Sequence, residues 1–188
     1  ERRYYSRALK LLDQKHFKAA AAEFDKFKVQ FPDSPAMPYI LFYRGLSLHL
    51  GNFRLRSIDA YTEVLDYFSN DVDPSVKALY QIGIAYEQNG DTRESQEAFR
   101  EIADDTRYVK HGLAAPALRR LGDSYYKKEK TDRAIELWMH VYAQFLSTRQ
   151  NDAVYCRNRL ANHFLSRARF DSYSGWLTRD TALVECSE

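Results

Sequence analysis

The sequence predicts an all-α fold, a solenoid of antiparallel helix pairs, and three observations carry that expectation. Helix breakers are scarce and clustered: Gly and Pro together make only twelve of 188 residues. Apolar residues recur at helical spacing on both sides of short polar turns, as around NGDT at 89–92. A small residue returns at 8, 45, 83 and 122, each time followed by the same order of side chains.

That order gives the elements in sequence. From Ala8, steps of three, twelve, sixteen and nineteen reach Leu11, Ala20, Phe24 and Phe27. From Gly45 they reach Leu48, Ser57, Tyr61 and Val64. From Gly83 they reach Tyr86, Ser95, Phe99 and Ile102, and from Gly122 they reach Tyr125, Ala134, Trp138 and Val141. A glycine inside a helix costs about 1 kcal/mol against alanine. The cost is offset if the glycine lets the partner helix approach and lay a large ring over the gap, because burying such a ring is worth about 2–3 kcal/mol. The spacing predicts helices over 2–14, 18–31, 37–50, 54–69, 75–89, 92–104, 113–129, 131–146, 151–167 and 170–178. The units then run 2–35, 36–73, 74–111 and 112–148, with a degenerate fifth over 149–180 in which Tyr173 stands where a small residue belongs. All of 1–188 reads as a single solenoid, because one helix pair cannot bury its own apolar face. Pro32, Pro35, Pro38, Pro74 and Pro116 all fall between units, as residues without an N–H should. Gly51 and Gly90 fall at the turn inside a unit, where a left-handed residue is expected to end the first helix. In the fourth unit Glu129, Lys130 and Thr131 hold that place.

The segments LYQIGIAYEQNGDTRESQEAF at 79–99 and LRRLGDSYYKKEKTDRAIELW at 118–138 resemble the tetratricopeptide repeat. So do FKAAAAEFDKFKVQFPDSP at 17–35 and YRGLSLHLGNFRLRSIDAY at 43–61. The resemblance covers about residues 2–146. It implies a right-handed superhelix whose first helices line a concave groove that takes an extended or helical segment of another protein. The period of 37–39 exceeds the family's usual 34, and the extra residues fall around 71–74 and 105–116. Gly51 lies one position early in its turn. The long period and the single FPDSP junction at Phe31–Pro35 are similar to a bacterial subset, the barrel-assembly lipoprotein and the Tol–Pal coordinator. That likeness implies a periplasmic or outer-membrane-associated setting, with the cytoplasm as the alternative.

Composition excludes several functions and leaves binding. Charge is close to balanced, with 28 basic and 26 acidic residues, so no phosphate-binding surface is demanded. Cys156 and Cys186 form no CxxC pair and the five histidines are scattered, so neither a metal nor another cofactor is expected. No phosphate loop, nucleophile elbow or HExxH motif is present, and the chain reads as non-catalytic. No apolar run is long enough to span a bilayer; an anchor upstream of Glu1 would lie beyond this sequence.

The groove-facing positions of each first helix lie three residues before the small anchor and one after it. They are Tyr5 and Leu9, Phe42 and Leu46, Tyr80 and Ile84, Arg119 and Asp123, and Asn158 and Asn162. His49, Glu87, Tyr126 and Lys127 lie one turn on. The series is apolar at first and polar later, a surface suited to apolar anchors of a partner protein or peptide at its N-terminal part. Some family members clamp a C-terminal carboxylate with Lys and Asn at these places; Tyr5, Leu9, Phe42 and Tyr80 stand there instead. Two other readings compete. One is a purely structural piece of a longer solenoid. The other, less favoured, is a nucleic-acid surface made by Arg149, Arg157, Arg159, Arg167, Arg169 and Arg179 with Tyr155, Phe164 and Phe170.

Overall fold

The structure, a computed structural model, describes residues 1–166. Among them the chain forms nine helices and no strand: α1 (Arg2–Asp13), α2 (Phe17–Gln30), α3 (Met37–Leu50), α4 (Arg54–Phe68), α5 (Val72–Asn89), α6 (Thr92–Asp104), α7 (Ala114–Lys127), α8 (Thr131–Phe145) and α9 (Gln150–Ser166). The helix expected over 170–178, with Tyr173, lies outside the described residues. So do Cys186, Arg167, Arg169, Arg179 and Phe170. The largest boundary difference is at α5, which begins three residues early. Pro74 then sits in its first turn, where a missing N–H breaks no helical bond. Pro38 and Pro116 occupy the first turns of α3 and α7 in the same way.

The chain divides into two compact units, residues 1–113 and residues from 114 onward. In the first, α1 to α6 pack as successive antiparallel neighbours; in the second, α7, α8 and α9 do so.

Each helix pair is built around its small anchor. A Cβ placed on Gly45 would lie 2.5 Å from Tyr61 Cε1, and on Gly83 it would lie 2.5 Å from Phe99 Cε1. On Gly122 it would lie 2.7 Å from the Trp138 indole nitrogen. Non-bonded carbons do not approach so closely, so the ring occupies the space a side chain would need. Ala8 is fully buried in one cluster with Phe24, Phe27 and Tyr61. The next position in the order, Phe27, Val64, Ile102 or Val141, is also sealed from solvent. The small residue twelve after the anchor lets the second helix close on the first: Ala20, Ser57, Ser95 and Ala134 are all buried. The glycine cost of about 1 kcal/mol is thus outweighed by the ring it admits. The Tyr61 hydroxyl is buried without a hydrogen-bond partner among the described residues, and burial pushes its pKa far up.

The turn inside each unit departs from expectation. Gly51 has φ −77°, so it is not the left-handed residue. That role falls seven residues after each anchor, on Lys15 (φ 61°), Asn52 (φ 66°), Gly90 (φ 92°) and Glu129 (φ 59°). Each turn closes in one way. The N–H of the left-handed residue bonds the carbonyl three back, and the next N–H bonds the carbonyl five back, as in Lys15 to Leu12 and His16 to Leu11. The same pair of bonds recurs at 52–53, 90–91 and 129–130. This is the Schellman closure, whose left-handed residue is usually glycine. Three of the four turns manage without it, because the two bonds hold a conformation that an L-residue adopts at modest cost.

Residues 105–113 link α6 to α7 and pack onto α4 and α5. Tyr108 is buried. Arg107 pairs with Asp105 and donates to the Ser69 carbonyl at 3.0 Å. His111 Nε2 lies 3.2 Å from Asp73 Oδ1.

Candidate functional site

In the first unit the sequence-predicted positions flank the anchors of α1, α3 and α5, and all but Phe42 are half-buried. Tyr5, Leu9 and Leu46 are half-buried and pack on the apolar cluster beneath. Tyr5 meets Tyr43 of α3 with ring centroids 6.3 Å apart, and burial beside that ring raises its pKa. Tyr80 and Ile84 on α5 are also half-buried, and the Tyr80 ring lies 5.7 Å from Phe99. Phe42 differs. It is buried between Tyr43 at 5.3 Å and Tyr61 at 5.9 Å, so its ring serves packing and offers no exposed surface. His49 reaches Gln88 of α5 at 3.1 Å, and burial lowers its pKa.

Sequence reasoning missed a polar cluster at one edge of this face. Asp73 accepts from the Tyr39 hydroxyl at 2.9 Å and from Lys77 at 2.6 Å, and meets His111. The Lys77 ammonium also lies 5.6 Å from the centre of the Tyr39 ring. Burial pulls the Asp73 pKa up, but the bonds from Lys77, His111 and Tyr39 outweigh it and hold the carboxyl below its ordinary value. No spacing in the sequence marks the cluster: Asp73 and His111 stand 38 residues apart.

In the second unit the same register positions hold a charged network between α7 and α9. Arg119 donates to Asp152 at 2.9 Å, approaches Asp123 at 3.7 Å and lies 4.7 Å over the Tyr155 ring. The Tyr155 hydroxyl donates to Asp123 at 2.9 Å. Burial raises the Tyr155 pKa, and that bond adds to the effect. Arg159 lies 4.9 Å over both Tyr126 and Trp138. Its Nε is 3.5 Å from Asp123 Oδ1, and neither atom has a hydrogen-bond partner among the described residues. Tyr126 stands edge-on to His163, with its hydroxyl 3.4 Å from Nδ1. Asn158 is exposed on the same helix. Cys156 is buried, and burial pushes its thiol up to about 12, which leaves it a poor nucleophile.

The arginines proposed as a phosphate surface are thus partly committed within the protein. Arg159 is stacked and faces a carboxylate, and Arg149 has partners of its own. No group of three or more His, Cys, Asp or Glu is placed to hold a metal ion among the described residues, and none of the described helices is long and apolar enough to cross a membrane.

Residues 77–105, comprising most of α5 and all of α6, match the family model described as Tetratricopeptide repeat. No curated protein matches the chain. Among solved structures, the nearly identical TPR-like repeats of a kinesin light chain candidate from Podosopora anserina superpose with a TM-score of 0.66 at 12% identity, over 100% of this chain and 96% of that one. The MamA RS-1 ArsTM double mutant also gives 0.66, at 13% identity, over 100% and 96%. A tetratricopeptide repeat protein from Parabacteroides merdae gives 0.62 at 14% identity, over 98% and 77%. The fold is that of a TPR-like solenoid.

Proposed function

We propose that the chain is a non-catalytic scaffold that binds a segment of another protein on the outward face of its first helices. The observation that carries this reading is a row of part-exposed apolar side chains, Tyr5, Leu9, Leu46, Tyr80 and Ile84, spread over three helices of one unit. They sit above anchors that already complete the core. Apolar surface of this kind, preformed on rigid helices, gives a partner's side chains places to dock without a large ordering cost. On the second unit the corresponding positions, Arg119, Asp123 and Tyr126, are engaged with Asp152, Tyr155 and Arg159, and Asn158 is exposed.

A photo-crosslinking residue at position 46 or 84, compared with one at 29 or 67, tests the reading. Val29 and Tyr67 are highly exposed apolar residues on second helices. Cross-links in native extract at 46 and 84, and none at 29 and 67, support the assignment. Cross-links confined to 29 and 67, or none anywhere, contradict it. The bacterial-envelope setting rests on the long repeat period and the Phe31–Pro35 junction. A lipidated cysteine upstream of this chain would support it, and a native cytoplasmic pool would count against it.

A further inference from the structure

The connection between α6 and α7 contains a histidine whose two ring nitrogens are bound in opposite senses. Nδ1 of His111 accepts a hydrogen bond from the Leu113 N–H at 3.1 Å. A nitrogen that accepts carries no proton. Nε2 therefore bears the ring hydrogen and donates it to Asp73 Oδ1 at 3.2 Å. The structure selects one neutral tautomer, and it does so between α5 and the last residue of the first compact unit.

We propose that His111 is a proton-operated clasp on residues 105–113, closed at Leu113 when neutral and released there when protonated. A proton taken from water can add only at Nδ1, since Nε2 already carries one. The ring then becomes an imidazolium with two donors. Its Nε2–H bond to the Asp73 carboxylate becomes charge-assisted and tightens. Its Nδ1–H now faces the Leu113 N–H, donor against donor, and that bond is lost. One prong grips harder as the other lets go, so the ring stays on α5 while the amide at the start of α7 is freed.

Other charged groups around the ring do not undo this logic. Lys77 of α5 and the Tyr39 hydroxyl of α3 both bind the other oxygen of Asp73, leaving Oδ1 to the histidine. Asp71, beside them, acts on Tyr39 and adds negative potential. Within the connection, Arg107 is occupied by Asp105 and the Ser69 carbonyl, and the Tyr108 phenol is buried. Lys110 is exposed.

The test uses the intact chain labelled with 15N, followed from about pH 8 to about pH 5, the range in which imidazoles take up a proton. Long-range proton–nitrogen spectra should show His111 as the Nε2–H tautomer at the alkaline end. The Leu113 amide should titrate with the same midpoint as His111, and its exchange protection should fall about tenfold once the ring is charged. His111→Gln should remove the titration of Leu113 and leave the amides of α1 to α4 in place. A His111 ring protonated on Nδ1 when neutral would overturn the proposal. So would a Leu113 amide that stays fixed while the imidazole titrates. Both readings come from the unaltered protein, so they stand even if the variant folds poorly.

Discussion

The first helices of the two units share one frame and carry opposite chemistry. On α5, the positions three before and one after the anchor are Tyr80 and Ile84; on α7 they are Arg119 and Asp123. Beneath both pairs lies the same device, a glycine covered by a ring: Gly83 under Phe99, and Gly122 under Trp138. The contrast shows how labour is divided within a repeat. The anchor, the small residue at +12 and the ring at +16 are held by close packing and change little. The flanking positions carry different side chains on that frame, from Tyr80 beside the Phe99 ring to Arg119 paired with Asp152. In the first unit they stay apolar, and all but the buried Phe42 are part-exposed. In the second they join neighbouring side chains in a network of ion pairs and cation–ring contacts.

If the frame is shared, breaking it must cost the same in both units. Gly83→Ala and Gly122→Ala each force a methyl into a ring, and each should lower stability by about 2 kcal/mol by thermal or denaturant unfolding, even though alanine is the better helix former. A large loss at one site and none at the other would end the comparison. The next effect separates the units. Asp152→Ala leaves Arg119 short of its main acceptor and should cost about 1 kcal/mol at low salt, shrinking as salt near 1 M shortens the screening length to about 3 Å. Ile84→Ser should cost a similar amount through lost apolar burial, with no such salt dependence.

A smaller effect concerns the ring itself. The covering residue is phenylalanine at 24 and 99 but tyrosine at 61, where the hydroxyl is buried and unpaired. Tyr61→Phe should raise stability by about 1 kcal/mol in denaturant melts. The left-handed turns give a graded series. Lys15→Gly and Glu129→Gly should each stabilise by about 0.5–1 kcal/mol, and Gly90→Ala should destabilise by about 1 kcal/mol. Nothing lies within 4 Å of a Cβ at Gly90, so that last change reads backbone strain alone. The least effect is acidic. The Asp73 carboxyl is held below its ordinary value of 3.8 in the folded protein. Its contribution is present in full above that value and is lost as pH falls through the lower folded one. Asp73→Asn should therefore flatten the melting-temperature profile below about pH 3.8.

Much of the fold was legible because close packing constrains residue size. A position that admits only hydrogen or methyl, repeated every 37–39 residues, leaves a mark no surface residue can imitate. Gly45, Gly83 and Gly122 each proved to lie under the ring their spacing indicated. The turns were read less well. The left-handed position accepts Lys15, Asn52 and Glu129 at modest cost, so residue identity marks it only at Gly90, while Gly51 suggested it one place too soon. Phe42 shows the limit at the candidate site. Spacing put it on the outward face with Tyr80, yet Tyr43 and Tyr61 close over it. Periodicity gives the direction of a side chain, but not how far its neighbours reach. The Asp73–His111 contact, 38 residues apart in the chain, left no pattern at all.

The most direct test is a double-mutant cycle on Gly83 and Phe99. Gly83→Ala alone should cost about 2 kcal/mol; in a Phe99→Leu background, where the crowding ring is gone, the same change should cost nothing or stabilise slightly through helix propensity. An equal penalty in both backgrounds would mean that the ring does not fill the space above the glycine, and would contradict the packing on which the repeat frame rests.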